Sequence, residues 1–174
     1  MLSFRYKLNA QDPETIRKIS ASTGFFDATD VKISVNLANS VLSEQEKSNQ
    51  SQDIGFLLAE YNGKTVSYAC FGKIEESRAT YELFLFSTLN EYRGQGIGRK
   101  MIQKLLETIK DLGGTKLFIK TDGTEQYAPT RRFYESCGFT LEAVLKEYYN
   151  DKDDCYIYSY KLPHSEPQNI LPAE

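Results

Sequence analysis

Apolar and polar positions change period several times along the chain, and each change marks an element. Leu2 to Leu8 alternates as a strand does, and Asp12-Pro13-Glu14 supplies an N-cap, a first-turn proline and an acid for a helix to about Ser22. Thr23-Gly24-Phe25-Phe26 breaks that helix. From Asp27 to about Lys47, Val31, Val35, Leu37, Ala38, Val41 and Leu42 recur at helical spacing, and the polar run Ser48 to Gln52 reads as a loop. Ile54 to Tyr61 and Thr65 to Ile74 flank Asn62-Gly63, a pair that takes the positive φ of a tight hairpin turn. Thr80 to Leu89 contains Leu83-Phe84-Leu85-Phe86, an apolar run without alternation that predicts a central strand buried on both faces. Ile97, Met101, Ile102, Leu105, Leu106, Ile109 and Leu112 then form one helical stripe, stopped by Gly113-Gly114. Lys116 to Thr121 is a further strand, so strand, glycine turn, helix and strand make a parallel crossover. A helix from about Pro129 to Cys137 ends at Gly138, and strands near Phe139–Glu147 and Cys155–Leu162 close an α/β domain over 1–162, with 163–174 expected as a flexible tail.

Length and charge narrow the function classes. A chain of 174 residues, 40% hydrophobic, suits one domain with a sizeable core. Its 21 basic and 24 acidic side chains give a net charge of −3, which supplies no cationic field for nucleic acid or an anionic membrane. No apolar run approaches the ~18 residues of a spanning helix, and the N-terminus lacks the apolar core of a signal peptide. Cys70, Cys137 and Cys155 are odd in number and far apart, which fits a reducing, cytoplasmic setting. His164 is the one histidine and falls in the tail, so neither a histidine triad nor a metal site is expected.

The crossover carries the chemistry. A strand that delivers a glycine turn to a helix start aims backbone N–H groups and the positive helix end at one spot, which suits phosphate. The turn is Arg93-Gly94-Gln95-Gly96-Ile97-Gly98. The dinucleotide fingerprint requires glycine where Arg99 stands, and the P-loop requires Gly-Lys-Ser/Thr where Arg99-Lys100-Met101 stands. Arg/Gln-x-x-Gly-x-Gly/Ala remains, met by Arg93, Gly96 and Gly98. With Tyr92 before it, the stripe after it, and Ala128-Pro129-Thr130-Arg131-Arg132-Phe133-Tyr134-Glu135-Ser136-Cys137-Gly138-Phe139 downstream, the chain resembles the GNAT superfamily of acetyl-CoA-dependent N-acetyltransferases. The likeness runs from Leu2 to Leu162 and is sharp over about Glu82 to Phe139.

The resemblance implies a mixed, mostly antiparallel sheet of about seven strands with splayed central strands and about four flanking helices. It implies acetyl-CoA as donor, with Phe86, Thr88 and Leu89 offering backbone groups, and with Arg93, Gly94, Gln95, Gly96, Gly98 and Arg99 at the pyrophosphate. Phe133, Tyr127 and Thr130 join the coenzyme site, although Tyr127 and Thr130 stand where the family motif has Asn and Ala. Tyr134 corresponds to a general acid for the departing thiolate, whose alternative is a tyrosine packed on the sheet. Glu82 corresponds to a general base in some relatives, and equally suits an ammonium-binding or solvent-facing role. Phe25 and Phe26 follow the first helix, where they wall the acceptor site or enter the core. Lys146 to Asp154 holds four acids and two lysines, a net −2 beside the acceptor end or a solvated hairpin tip with Asn150-Asp151 as its turn. The acceptor is then a small-molecule primary amine or a peptide amine, at a protein N-terminus or a lysine, and the alternative of another class is an acetyl-CoA-binding module without catalysis; the resemblance leaves a homodimer open and implies no metal, nucleic acid or membrane.

Overall fold

A computed structural model of the chain describes residues 1–47 and 54–163. The Ser48–Gln52 loop and the expected tail from His164 onward lie outside the described residues. Seven strands form one sheet in the order β1-β2-β3-β4-β5-β7-β6: β1 Leu2–Arg5, β2 Ile54–Tyr61, β3 Lys64–Lys73, β4 Thr80–Thr88, β5 Lys116–Asp122, β6 Thr140–Asn150 and β7 Asp153–Lys161. Among the described residues only β4 and β5 run parallel, joined by the crossover helix. Four α-helices cover the sheet, α1 Asp12–Ser22 and α2 Ala28–Lys47 before β2, then α3 Ile97–Asp111 and α4 Ala128–Ser136.

Each face of the sheet has its own core. Ile97, Met101, Ile102, Leu105 and Ile109 bury the α3 stripe against Leu57, Leu83, Leu117 and Ile119, each fully buried aliphatic side chain worth roughly 1.5–3 kcal/mol. Ile16, Ile19, Ala38 and Val41 of α1 and α2 close on Phe56, Leu58, Tyr68 and Cys70 from the other side. Within that second core Ser20 Oγ hydrogen-bonds the Tyr68 hydroxyl at 2.7 Å and Ser34 Oγ at 3.2 Å, which fixes α1, α2 and β3 together and so holds the loop between the two helices in place.

Several elements differ from expectation. The N-cap of α1 is Gln11, not Asp12; Asp12 is 2% exposed and its carboxylate takes two Arg5 N–H bonds at 2.7 and 2.6 Å plus the Asn9 N–H at 2.6 Å. That buried ion pair, rather than capping, explains the acid. β1 accordingly stops at Arg5 instead of Leu8. The last hairpin turns on Asp151-Lys152, with Asn150 paired to Asp153, so the turn sits one residue later than Asn150-Asp151.

β4 departs most. Cys70 opposes Leu85 while Phe71 opposes Leu83, so Phe84 is an extra residue in the ladder. One extra residue reverses the alternation: Tyr81 and Leu83 pack in the α3 core, whereas Leu85 packs in the α1–α2 core. Pairing of β4 with β5 also ends at Leu83–Ile119, although both strands continue. Beyond that pair the strands splay, and Phe84 is 39% exposed. β4 is therefore not buried on both faces as expected: Tyr81, Leu83 and Ser87 are buried, and the residues between them are partly or largely exposed.

Candidate active site

The splayed ends of β4 and β5 open into a cleft of about 730 Å³ between the α1–α2 loop, the glycine turn, α4 and the β6–β7 hairpin. Gly94 and Gly96 shape the end of the cleft at the start of α3. Their φ values of 74° and 78° lie in the left-handed region, where Cβ is strongly disfavoured. Gly96 is the N-cap of α3, so the turn leaves the helix's first N–H groups directed outward with no side-chain cap. Gly98 answers a packing demand: a Cβ there meets Phe133 Cζ at 3.3 Å and Phe86 Cζ at 3.6 Å. Phe86 and Phe133 stack with centroids 6.0 Å apart and tie the splayed strand to α4.

The expected coenzyme residues Phe86, Thr88, Arg93, Gly94, Gly96, Gly98, Arg99, Tyr127, Thr130 and Phe133 all line this cleft, as do Phe25, Phe26 and Tyr134. Three expected residues do not. Leu89 faces a separate hollow of about 740 Å³ beside Arg5, Lys18 and Lys64. Gln95 bonds the Glu91 carbonyl at 3.1 Å. Glu82 places its carboxylate 3.1 Å from Lys120 Nζ across the β4–β5 pair, where the ladder is still closed.

Several cleft side chains have partners that qualify their expected roles. The Arg93 guanidinium lies 5.0 Å from the centre of the Phe25 ring. Arg99 donates to the Ser136 carbonyl at 2.8 Å and to Ser136 Oγ at 3.0 Å, tying α3 to the end of α4. Tyr127, in the family's Asn position, donates its hydroxyl to the Phe25 carbonyl at 2.8 Å and meets the Phe25 ring edge-on at 5.3 Å. Gln126 adds a bond to the Gly24 carbonyl at 3.1 Å. The α1–α2 loop is thus fastened across the cleft to the turn before α4. Burial, then Asp122, pushes the Tyr127 hydroxyl up to about 12, so it stays a donor.

Tyr134 is 6% exposed, its ring held by Phe133, Phe139 and Tyr158 at 5.5, 5.9 and 6.4 Å. Burial, reinforced by Cys137 and Tyr127, raises its pKa, so it carries its proton throughout the neutral range. The structure also places in the wall of this cleft the side chains of Ser87, Lys120, Asp122 and Asp153, which were not singled out from sequence. Only the acidity of Lys146–Asp154 signalled one of them. Among the described residues no three His, Cys, Asp or Glu side chains are grouped to hold a metal, and no helix is long and apolar enough to cross a membrane.

Residues 29–139 match the model of the acetyltransferase (GNAT) family. The chain belongs to that family. A protein of Desulfovibrio desulfuricans assigned to the GNAT family is 31% identical, with 94% of this chain and 100% of that one aligned and a TM-score of 0.88. The PaiA N-acetyltransferase of Thermoplasma acidophilum, solved in complex with coenzyme A, shares the fold at 19% identity, covering 92% and 99% of the two chains with a TM-score of 0.71. N-alpha-acetyltransferase 30 of Schizosaccharomyces pombe is 32% identical over 74 residues, which is 42% of this chain and 48% of that relative. The GNAT fold, an acyltransferase fold with seven strands and four helices, accounts for the splayed β4 and β5, since both sides of the opening are built by the matched segment.

Proposed function

We propose that this protein transfers the acetyl group of acetyl-CoA directly to the primary amine of a small molecule. The observation that carries the reading is the meeting, in one cleft, of an uncapped glycine-turn helix start, a splayed β4 and the buried Tyr134. The turn from Arg93 to Gly98 receives the pyrophosphate through backbone N–H groups and the helix dipole. Acetyl-CoA brings an activated thioester to the opening. Backbone groups of β4 beyond Leu83 that point toward β5 have no ladder partner, and their N–H donors polarise a carbonyl placed there.

Tyr134 serves the departing sulfur. A phenol near pKa 10 protonates a thiolate near 8.5 only uphill, by roughly 2 kcal/mol, and burial raises that gap. Its contribution is therefore a hydrogen bond that strengthens as charge gathers on sulfur, with the proton passing as the C–S bond completes its break. Glu82 is occupied by Lys120 and stands back from the cleft, so the base is sought elsewhere.

The tie of Tyr127 and Gln126 to the α1–α2 loop narrows the acceptor mouth, which favours a small amine. A peptide N-terminus is the second reading, favoured by the 32% identity to an N-alpha-acetyltransferase over 74 residues. The test is free-thiol release from acetyl-CoA across amines and short peptides, with mass detection of the acetylated product. Stoichiometric release with at least one small amine is expected. Binding of acetyl-CoA without release for any acceptor contradicts catalysis, and release with peptides alone overturns the small-amine reading.

A further inference from the structure

Among the described residues two buried side-chain oxygens lack a hydrogen-bonding partner, Ser87 Oγ and Asp153 Oδ1, and both stand in the wall of the same cleft. An unpaired buried polar atom costs on the order of 1–3 kcal/mol, and native structures hold few of them. Their coincidence in one cleft marks a place where a polar ligand completes the bonding. Ser87, 5% exposed, can donate or accept. Asp153, ionised, can only accept.

Asp153 opens β7, and its carboxyl meets that of Asp122, the last residue of β5 and its near neighbour across the β5–β7 pair, while Asn150 across the hairpin turn also hydrogen-bonds the Asp153 carboxyl and leaves Oδ1 unpaired. Asp122 is itself fixed, because its Oδ1 takes the Thr124 N–H at 2.7 Å. Two carboxyls in contact repel when both are charged, and either a shared proton or a cation between them relieves the strain. The nearby charges do not supply that cation. Lys120 on β5 is held by Glu82. Asp154 beside Asp153 pairs with Lys146 outside the cleft wall. Arg131 on α4 donates Nη1 to the Asp122 and Thr124 carbonyls and lies over the Tyr156 ring, 4.8 Å from its centre. Tyr127, Tyr149 and the first turn of α2, with Asp27 and Asp30, add polar or acidic groups. Burial first, then Asp122, raises the Asp153 pKa, which suits a carboxylate that must take up a proton.

We propose that Asp153, backed by Asp122, receives the ammonium group of the acceptor and removes its proton. The inference rests on the acetyl-transfer reading and names its acceptor class: a cationic primary amine with no carboxylate beside the nitrogen. One N–H bond of the ammonium breaks and its proton passes to Asp153, then to solvent. The freed lone pair forms the C–N bond to the thioester carbonyl carbon as the C–S bond breaks. The second proton, shed as the amide forms, balances the one taken up by the departing sulfur.

The test uses the full chain with Asp153→Asn, Asp122→Asn and Asp153→Glu, and with glycinamide and glycine as matched acceptors. Acetyl-CoA affinity, by calorimetry, is expected within about twofold of wild type in all three, which certifies folding and the donor site. Wild type is expected to favour glycinamide over glycine at least tenfold in kcat/KM. Asp153→Asn is expected to lose about 100-fold in kcat/KM for glycinamide, the low end of a general-base effect. It also loses the enzyme's acidic limb, leaving the amine's own titration, and Asp153→Glu recovers part of both. Wild-type kcat/KM and an unchanged acidic limb in Asp153→Asn, at normal acetyl-CoA affinity, would overturn the proposal. If wild type acetylates nothing, the acetyl-transfer reading fails separately, and glycinamide binding to the coenzyme A-loaded protein decides this one. Binding by wild type and not by Asp153→Asn upholds the ammonium site, and equal binding overturns it.

Discussion

Gly96 separates the two demands placed on the glycine turn, because any side chain there meets the same backbone penalty while its charge meets only the ligand. No heavy atom lies within 4 Å of a Cβ built on Gly96, so substitution costs conformation alone. Holding an L-residue near φ 78° costs about 1–2 kcal/mol. For a domain of this size each kcal/mol moves Tm by about 2–4 °C, so Ala, Glu and Lys at Gly96 should each lower Tm by about 2–8 °C. Glu falls at the favourable end of the helix dipole and should be the least destabilised of the three. Coenzyme affinity should order them differently. A carboxylate about 4 Å from a phosphate charge is repelled by about 4 kcal/mol at an effective dielectric of 20, and salt near 0.15 M screens an exposed pair to roughly half that value or somewhat more. A net 2–3 kcal/mol corresponds to about 30- to 140-fold in Kd. Calorimetric titration with acetyl-CoA should therefore place Gly96→Glu about two orders of magnitude below Gly96→Ala, with Gly96→Lys at or above Ala, and the gap should narrow as salt is raised. Equal affinities for the Glu and Ala variants would refute the placement of the pyrophosphate at this turn.

Tyr134→Phe should leave acetyl-CoA affinity within twofold and lower kcat about 100-fold, read by thiol release; unchanged kcat removes the hydroxyl from the chemistry. Asp12→Ala strips Arg5 of its buried partner while leaving Glu60 at 2.6 Å, so a loss near the low end of a broken buried pair, about 3 kcal/mol, is expected as a Tm drop of about 6–12 °C. Asp153 has a folded pKa above its unfolded value, so the folded chain holds that proton more tightly and stability is lost as pH rises from about 3.9 through the folded value. Asp153→Asn removes the charge, and its Tm should exceed that of wild type at neutral pH, the difference closing below about pH 4; a lower Tm at neutral pH would contradict the repulsion between the Asp153 and Asp122 carboxylates.

What could be read from sequence was local. Asn62-Gly63 declares its hairpin because the turn demands positive φ at adjacent residues, observed at 50° and 80°. The α3 stripe declares its helix because five of its members are buried on one side. The Arg93–Gly98 turn likewise carries its chemistry in its own backbone. What escaped was set by partners far along the chain. Asp12 looks like a cap from its neighbours and is a buried ion pair because β1 and β2 bring Arg5 and Glu60 to it. The pattern of Leu83-Phe84-Leu85-Phe86 does not mark a bulge, since every residue in the run is apolar and a parity reversal leaves no polar mark; the family resemblance implies one in this strand at Phe86 to Leu89, and it falls earlier, at Phe84. Asp122 and Asp153 lie on strands whose pairing alone makes them neighbours, and Glu82 met Lys120 in the same way. The Asn-to-Tyr change at Tyr127 was visible, whereas its bond to the Phe25 carbonyl depends on how the α1–α2 loop crosses the sheet.

The central claim is that acetyl-CoA lies between the Arg93–Gly98 turn and the splayed end of β4. Titrating nitrogen-labelled protein with acetyl-CoA and following each backbone amide tests it most directly. Saturable shifts are expected at Arg93–Arg99, Phe84–Thr88 and the start of α4, with the amides around Arg5, Lys18 and Lys64 unmoved. Shifts centred instead on that second hollow, or no saturable shifts at all, would contradict it.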